Sequence, residues 1–333
     1  MSEVGLSSGI EWRRLLAANA ILLVFVVFVT VAGIITGGRF LSAANVSVIL
    51  FQCSVVGVLV LGQTLVLLIA GIDLSIAAIA IFAAVVMGAG GSERQIMMNF
   101  GGILPYLGFW PAIAVGFAGA AIAGLFNGLA VVVLRIPAFI ATLATSLGLA
   151  GLTMLLTGGS PVNYPDRFYA DFGSTRWFGL PLPVYVFFLL ALVVGYVLAR
   201  TTFGTQLYAI GGNPRAARLS GIPVGRITIL AHTLCALLGA VGGFLFLART
   251  GSVAPSSGGS LLLGTIAAAV VGGVSLAGGK GSAFNAVIGT LMLAGLSNLM
   301  NILLVSPHLQ NAVSGLIIVV AIILNMRLSP DQT

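Results

Sequence analysis

The acid best placed to do chemistry inside this chain is Asp73, in the run Ala70, Gly71, Ile72, Asp73, Leu74, Ser75 between two apolar stretches. It is the one acid within the apolar segments, and a carboxylate there has two readings. With Ser75 at the start of a helix it caps free backbone N–H groups. Facing a wet cavity, it binds a proton or an ion instead. Gln63 and Thr64, just before it, can line a polar cavity. Asn127, Asn298 and Thr142 sit in further apolar runs, with Gln52, Thr145, Ser146, Asn285 and Asn301 as additional uncharged hydrogen-bonding groups. An amide in hydrocarbon needs another helix or water as its partner. Gln63, Thr64, Asp73, Ser75, Asn127, Thr142 and Asn298 are therefore the candidates for a translocation pathway. Amides and hydroxyls with hardly any charge suit a neutral polyhydroxyl solute better than an ion or an amino acid. His232 and Cys235 share one helix face and read as buried structural residues rather than a metal site, and Cys53 lies in a different run. The glycines around Lys280 do not make a phosphate loop: position 274 is Val, and Gly281 follows the lysine. With no Ser-His-Asp set, carboxylate pair or metal cluster, neither catalysis nor a cofactor bound by this chain is expected.

A second group of residues suits docking rather than chemistry. Arg200, Arg215, Arg218 and Arg226 are four of 14 basic residues, gathered over 200–226 with no acid among them. Asn213 can cap a helix, and Pro214 fits its first turn, where a missing N–H costs nothing. Gly221 and Pro223 then stop that helix after about two turns. Asn213, Pro214, Arg215, Ala216, Ala217, Arg218, Leu219, Ser220 and Gly221 thus form a short basic helix inside a long loop, a docking element for a soluble partner.

These residues belong to a chain of 333, of which 59% are hydrophobic and 6% charged. A soluble domain carries about 25% charged residues, so the fold class is an all-α polytopic membrane protein in contact with lipid. The bases behind the net charge of +7 sit singly at span ends, the pattern of the positive-inside rule and not of nucleic-acid binding. About ten transmembrane helices are expected, near 15–36, 45–70, 75–91, 106–134, 137–157, 182–199, 227–248, 261–277, 283–304 and 310–326. Residues 1–333 make one permease-like transmembrane domain. Residues 1–14 and 200–226 fall inside and 158–181 outside, with both termini cytoplasmic. That orientation puts Arg13, Arg14, Arg135, Arg200, Arg215, Arg218, Arg226, Lys280 and Arg327 inside, and Arg39, Arg94, Arg167, Arg176 and Arg249 outside. The aromatics of 158–181 either form an interfacial belt or help make a landing surface for an external partner. Two spans look broken, at Gly71 to Asp73 and across the glycine-rich 251–282. The order AGLFN at 123–127 recurs as AGLSN at 294–298, five spans on, so an inverted internal repeat is expected. Glycine interruptions in corresponding segments of two halves point to a transport pathway.

Several stretches together resemble one family: 62–75 (GQTLVLLIAGIDLS), 124–128 (GLFNG), 136–143 (IPAFIATL), 202–222 (TFGTQLYAIGGNPRAARLSGI) and the glycine-rich 271–281. From about residue 40 onward the chain is similar to permease subunits of bacterial ABC importers for monosaccharides, the ribose/xylose/arabinose type. That resemblance implies the bacterial inner membrane and a dimer of such permeases, with a homodimer expected. It also implies a cytoplasmic ATP-binding subunit carrying the ATP and Mg, and a periplasmic sugar-binding protein. Residues 213–221 would occupy the coupling-helix position. Ala216, Ala217 and Gly221 match the Glu-Ala-Ala-x3-Gly of ABC importers, whereas Arg215 stands where the Glu would be. The rival reading is an ion-coupled secondary transporter using Asp73; a membrane scaffold would leave the polar residues unexplained.

Overall fold

The computed structural model of the chain describes residues 20–91, 106–163 and 167–306, together with 309–310, 312–313 and 315–316. Its elements run α1 (Ala20–Ile35), α2 (Ala43–Leu68), α3 (Ile76–Gly90), α4 (Phe109–Val132), α5 (Ala138–Thr157), β1 (Val162–Asn163) and α6 (Arg167–Ser174). They continue through β2 (Arg176–Trp177), β3 (Leu180–Pro181), α7 (Leu182–Arg200), α8 (Thr202–Gly212), α9 (Pro214–Leu219) and α10 (Val224–Thr250). The last are β4 (Ser252–Val253), α11 (Gly258–Val271) and α12 (Ala283–Ile302). Nine of the expected spans have a helix among the described residues. The tenth, 310–326, and the basic N-terminus lie largely outside them. Among the described residues six helices are long and apolar enough to cross a bilayer: α2, α4, α5, α7, α10 and α12.

Of the shorter apolar helices, α3 and α11 do not reach across. α3 has 15 residues and α11 has 14, or about 22 Å each, against a hydrocarbon core of about 30 Å. The expectation of a span over 261–277 is corrected here. α11 starts at Gly258, takes both Gly258 and Gly259 into its first turn, and ends at Val271. Both short helices begin inside the bundle. Ile76 packs on Gly62 and Gly239, well within α2 and α10. Gly258 lies against Ala77 and Ala78 of α3.

Glycine and alanine set how closely the long helices approach. α4 and α10 meet through Gly124 and Gly128, whose missing side chains would overlap the α10 backbone at His232 and Ile229. In lipid there is little hydrophobic force between helices, so close backbone packing of this kind holds them together. α4 packs on α10 as α12 packs on α2, and α3 lies on α10 as α11 lies on α2. The connections segregate to opposite ends. At one end Gly279 N–H donates to the Leu68 carbonyl (3.0 Å) and Gly211 sits against both. At the other, β1 pairs antiparallel with β4, and Leu107 N–H donates to the Gly90 carbonyl (3.0 Å).

The 158–181 segment departs from the belt reading. Tyr169 on α6 is fully buried, with its hydroxyl donating to the Met87 carbonyl (3.2 Å), and Phe172 packs its ring on Phe244 of α10. Phe168 packs at a tilt against Phe109 at the start of α4, with ring centroids 4.9 Å apart. These rings plug the end of the bundle, whereas Trp177 and Phe178, at the tip between β2 and β3, point outward.

Candidate functional site

Ala70 ends α2 in the left-handed region (φ 59), and residues 71–75 run non-helically into the bundle before α3 begins. Gly71 is required there, because a side chain would strike Val66. Buried backbone without helix partners must find other ones, and Gln63 of α2, Thr142 of α5 and the side chain of Asp73 supply them. With its amide oriented to satisfy its neighbours, Gln63 donates to the Asp73 carbonyl (2.9 Å) and accepts from the Asp73 N–H (3.2 Å). Leu74 N–H donates to the Thr142 hydroxyl (3.0 Å). Ser75 N–H and hydroxyl both donate to Asp73 Oδ1, at 2.8 and 2.6 Å. Asn127 Nδ2 donates to Ser75 Oγ (2.8 Å), and Thr145 Oγ1 donates to Asn127 Oδ1 (2.6 Å).

The two readings of Asp73 resolve into a third. Its carboxylate engages Ser75 ahead of α3, although Ser75 and not Asp73 holds the N-cap position. Its other oxygen lies 3.1 Å from His232 Nδ1, with both side chains fully buried. The expectation for His232 was an inert core residue; buried it is, but as the carboxylate's partner. A buried carboxylate without a counterpart is costly, so the sequence did hold a signal: His232 is a titratable group inside an apolar run. Its Nε2 has no hydrogen bond among the described residues.

Of the seven pathway candidates, Gln63, Asp73, Ser75, Asn127 and Thr142 meet in this network. Thr64 is buried but donates to Val60 of its own helix (2.7 Å). Asn298 lies elsewhere, in a reciprocal amide pair with Asn45 at 2.9 and 3.0 Å that joins α12 to α2. None of the seven lines the open space beside the break. That space is a cavity of about 450 Å³ walled by Ala77 and Ala78 of α3, Ser146 and Gly151 of α5, and Ser256 and Gly258 before and in α11. The first turns of both short helices therefore face it, bringing N–H groups that have no partner within their own helices. Five of these polar residues thus stand behind the wall of this cavity, in the network that holds the break. For the same reason an ion-coupled use of Asp73 finds no support, since its carboxylate is partnered and removed from the cavity. Ser256 and Gly258 escaped the sequence reading because only the meeting of α3 with α11 gives them a role.

The docking element is built much as its residues dictate. Asn213 Oδ1 accepts from Arg215 N–H (3.0 Å) and Ala216 N–H (2.9 Å), and Pro214 occupies the first turn of α9. Gly221 closes it in the left-handed region (φ 81). Only Ala217 is buried; Asn213, Pro214, Arg215, Ala216, Arg218, Leu219, Ser220 and Gly221 are exposed, with Leu219 at 83%. One correction applies upstream, where 202–212 is not loop but helix α8, capped by Thr201 and anchored by buried Leu207 and Ile210. Tyr208 of α8 donates its hydroxyl to the Gly281 carbonyl (2.8 Å), and burial raises its pKa, so it stays a donor.

Residues 45–322 match the family described as the permease component of the branched-chain amino acid transport system. The chain is 38% identical over 294 residues to the ribose import permease protein RbsC of Escherichia coli K12, covering 87% of this chain and 88% of that protein. It is 33% identical over 312 residues to the fructose import permease protein FrcC of Rhizobium meliloti, covering 90% and 83%. It is also 33% identical over 316 residues to the L-arabinose transport system permease protein AraH of Escherichia coli K12, covering 95% and 92%. No solved structure matches.

Proposed function

We propose, starting from the chain's membership of the branched-chain amino acid transport system permease family, that it is the membrane permease subunit of an ATP-driven monosaccharide importer. Relatives named for ribose, fructose and L-arabinose support a sugar as its solute. The observation that carries the reading is the cavity of about 450 Å³ where the first turns of two broken helices meet. Its size is that of a small-molecule site. Ser146, Thr153 and Ser256 are the hydroxyl residues on its wall, with no charge beside them. A sugar there is held weakly, as a conduit requires, since strong binding would stop release. Recognition then falls to a periplasmic binding protein, and ATP and Mg to a cytoplasmic subunit.

On this reading α9 is the coupling helix and its end of the bundle is cytoplasmic, as are both termini, in the inner membrane of a bacterium. Arg215, Arg218 and Leu219 supply charge and an apolar anchor for the ATP-binding subunit. A second copy of the chain completes the transporter. The exchange of α4 on α10 for α12 on α2 supports an inverted repeat, with α3 and α11 as equivalent half-helices. ATP-driven closure of the partner subunits displaces α9 and shifts access to the cavity between the two sides.

Replacing Arg215 and Arg218 together by Glu tests the docking. The ATP-binding subunit should no longer co-purify, or uptake of labelled pentose or hexose should cease while ATP is still hydrolysed. Normal co-purification with normal uptake would overturn it.

A further inference from the structure

We propose that residues 69–75, the break between α2 and α3, are the part that moves with the docking helix, and that Gly211 and His232 are the positioning residues that drive it. This rests on α9 being the docking element. The two residues lie on either side of α9 in the chain, and both hold the same break.

Gly211, just ahead of Pro214, packs on the end of α2. A methyl group in place of its hydrogen would overlap the Leu68 carbonyl and the Gly279 amide, which are themselves hydrogen-bonded at 3.0 Å. Gly278 packs in turn against Ala70. Backbone meets backbone here, with no side chain between to absorb a displacement by changing rotamer. On the far side of α9, Ile222 and Pro223 lead directly into α10. His232 lies roughly 12 Å along that helix and meets Asp73 with its Nδ1 3.1 Å from Oδ2. The break is thus gripped at its start from α8 and in its middle from α10.

What the break moves is the cavity wall. Ser75 opens α3, whose Ala77 and Ala78 form one side of the cavity. Through Asn127 and Thr145 the same serine is tied to α5, whose neighbouring Ser146 forms another. A non-helical segment is the natural moving part, because it changes backbone angles without breaking helical hydrogen bonds. The buried hydrogen bonds through Asp73, Ser75, Asn127 and Thr145 keep both walls in register as it does so.

The test uses the complete transporter in proteoliposomes, with its ATP-binding subunit and binding protein, and reads sugar transported per ATP hydrolysed. His232→Leu and Gly211→Ala should keep the ATP-binding subunit and its hydrolysis while that ratio falls about tenfold. His232→Asn, which keeps an N–H toward Asp73, should restore most of it. An unchanged ratio in both damaging variants would overturn the proposal, as would equal losses in His232→Leu and His232→Asn. So would an uptake defect explained entirely by less assembled complex. Gly211→Ala gives the decisive ratio where His232→Leu fails to assemble. Failure of the docking reading itself shows separately, as normal assembly and uptake of the Arg215→Glu, Arg218→Glu variant.

Discussion

Asn213 carries the start of α9 on two hydrogen bonds, at 3.0 and 2.9 Å, because exposed helices this short have little else to hold them. Asn213→Ala should cost about 1 kcal/mol of local helix stability. Faster amide exchange at Arg215 and Ala216 and weaker retention of the ATP-binding subunit would register that loss. The Asn45–Asn298 pair is a different case: the two amides bond reciprocally between α2 and α12, and Asn45 Nδ2 also donates to the Phe40 carbonyl (2.8 Å). Asn298→Leu should lower stability by about 1 kcal/mol by stranding Asn45. Adding Asn45→Leu should recover part of that in thermal unfolding, since it also removes the bond to Phe40. A double variant no better than the single would mean that the Asn45 bond to Phe40 outweighs the relief of the stranded amide oxygen. Local caps of the Asn213 kind were legible in the sequence, because donor and acceptor lie within three residues. The partner of Asn298 was not, since nothing in its neighbourhood selects Asn45 from the other amides.

Among elements, the contact of α4 with α10 depends on what its glycines lack. A Cβ on Gly124 would stand 2.5 Å from the Ala236 side chain and 2.7 Å from the His232 carbonyl. Gly124→Val should therefore lower the melting temperature, at a cost of about 1–3 kcal/mol from overpacking. Gly148 of α5 has nothing within 4 Å of its Cβ position, and Gly148→Val should leave the melting temperature of the isolated subunit unchanged. Equal effects at the two positions would contradict this packing. In α4 the small residues Gly116, Gly119, Ala120, Ala123, Gly124 and Gly128 recur at helical spacing, so a contact face is visible in the sequence itself. α8 could not be anticipated, because Gly204, Gly211 and Gly212 argue for loop. Burial of Leu207 and Ile210 and the close fit of Gly211 on Leu68 outweigh that preference.

For the whole molecule, function follows from two half-helices that begin together inside the bundle. Filling the cavity with Ser146→Phe should reduce sugar uptake at least about tenfold, while ATP-binding subunit and binding protein still assemble. Uptake at the wild-type rate would move the pathway elsewhere. The sequence by itself determined that the chain crosses a membrane, where most of its helices lie, that one is broken near Asp73, and that a basic capped helix interrupts a long connection. Those properties answer to short-range causes: hydrocarbon excludes charge over each run, and caps and glycines act on adjacent turns. Only the tertiary structure decided that Asp73 meets His232, that Leu68, Gly211 and Gly279 share one backbone junction, and that α3 and α11 open on the same cavity. Such pairings arise from which small-residue faces let helices approach. Many faces in an apolar, glycine-rich chain are equally able to do so until the fold selects among them.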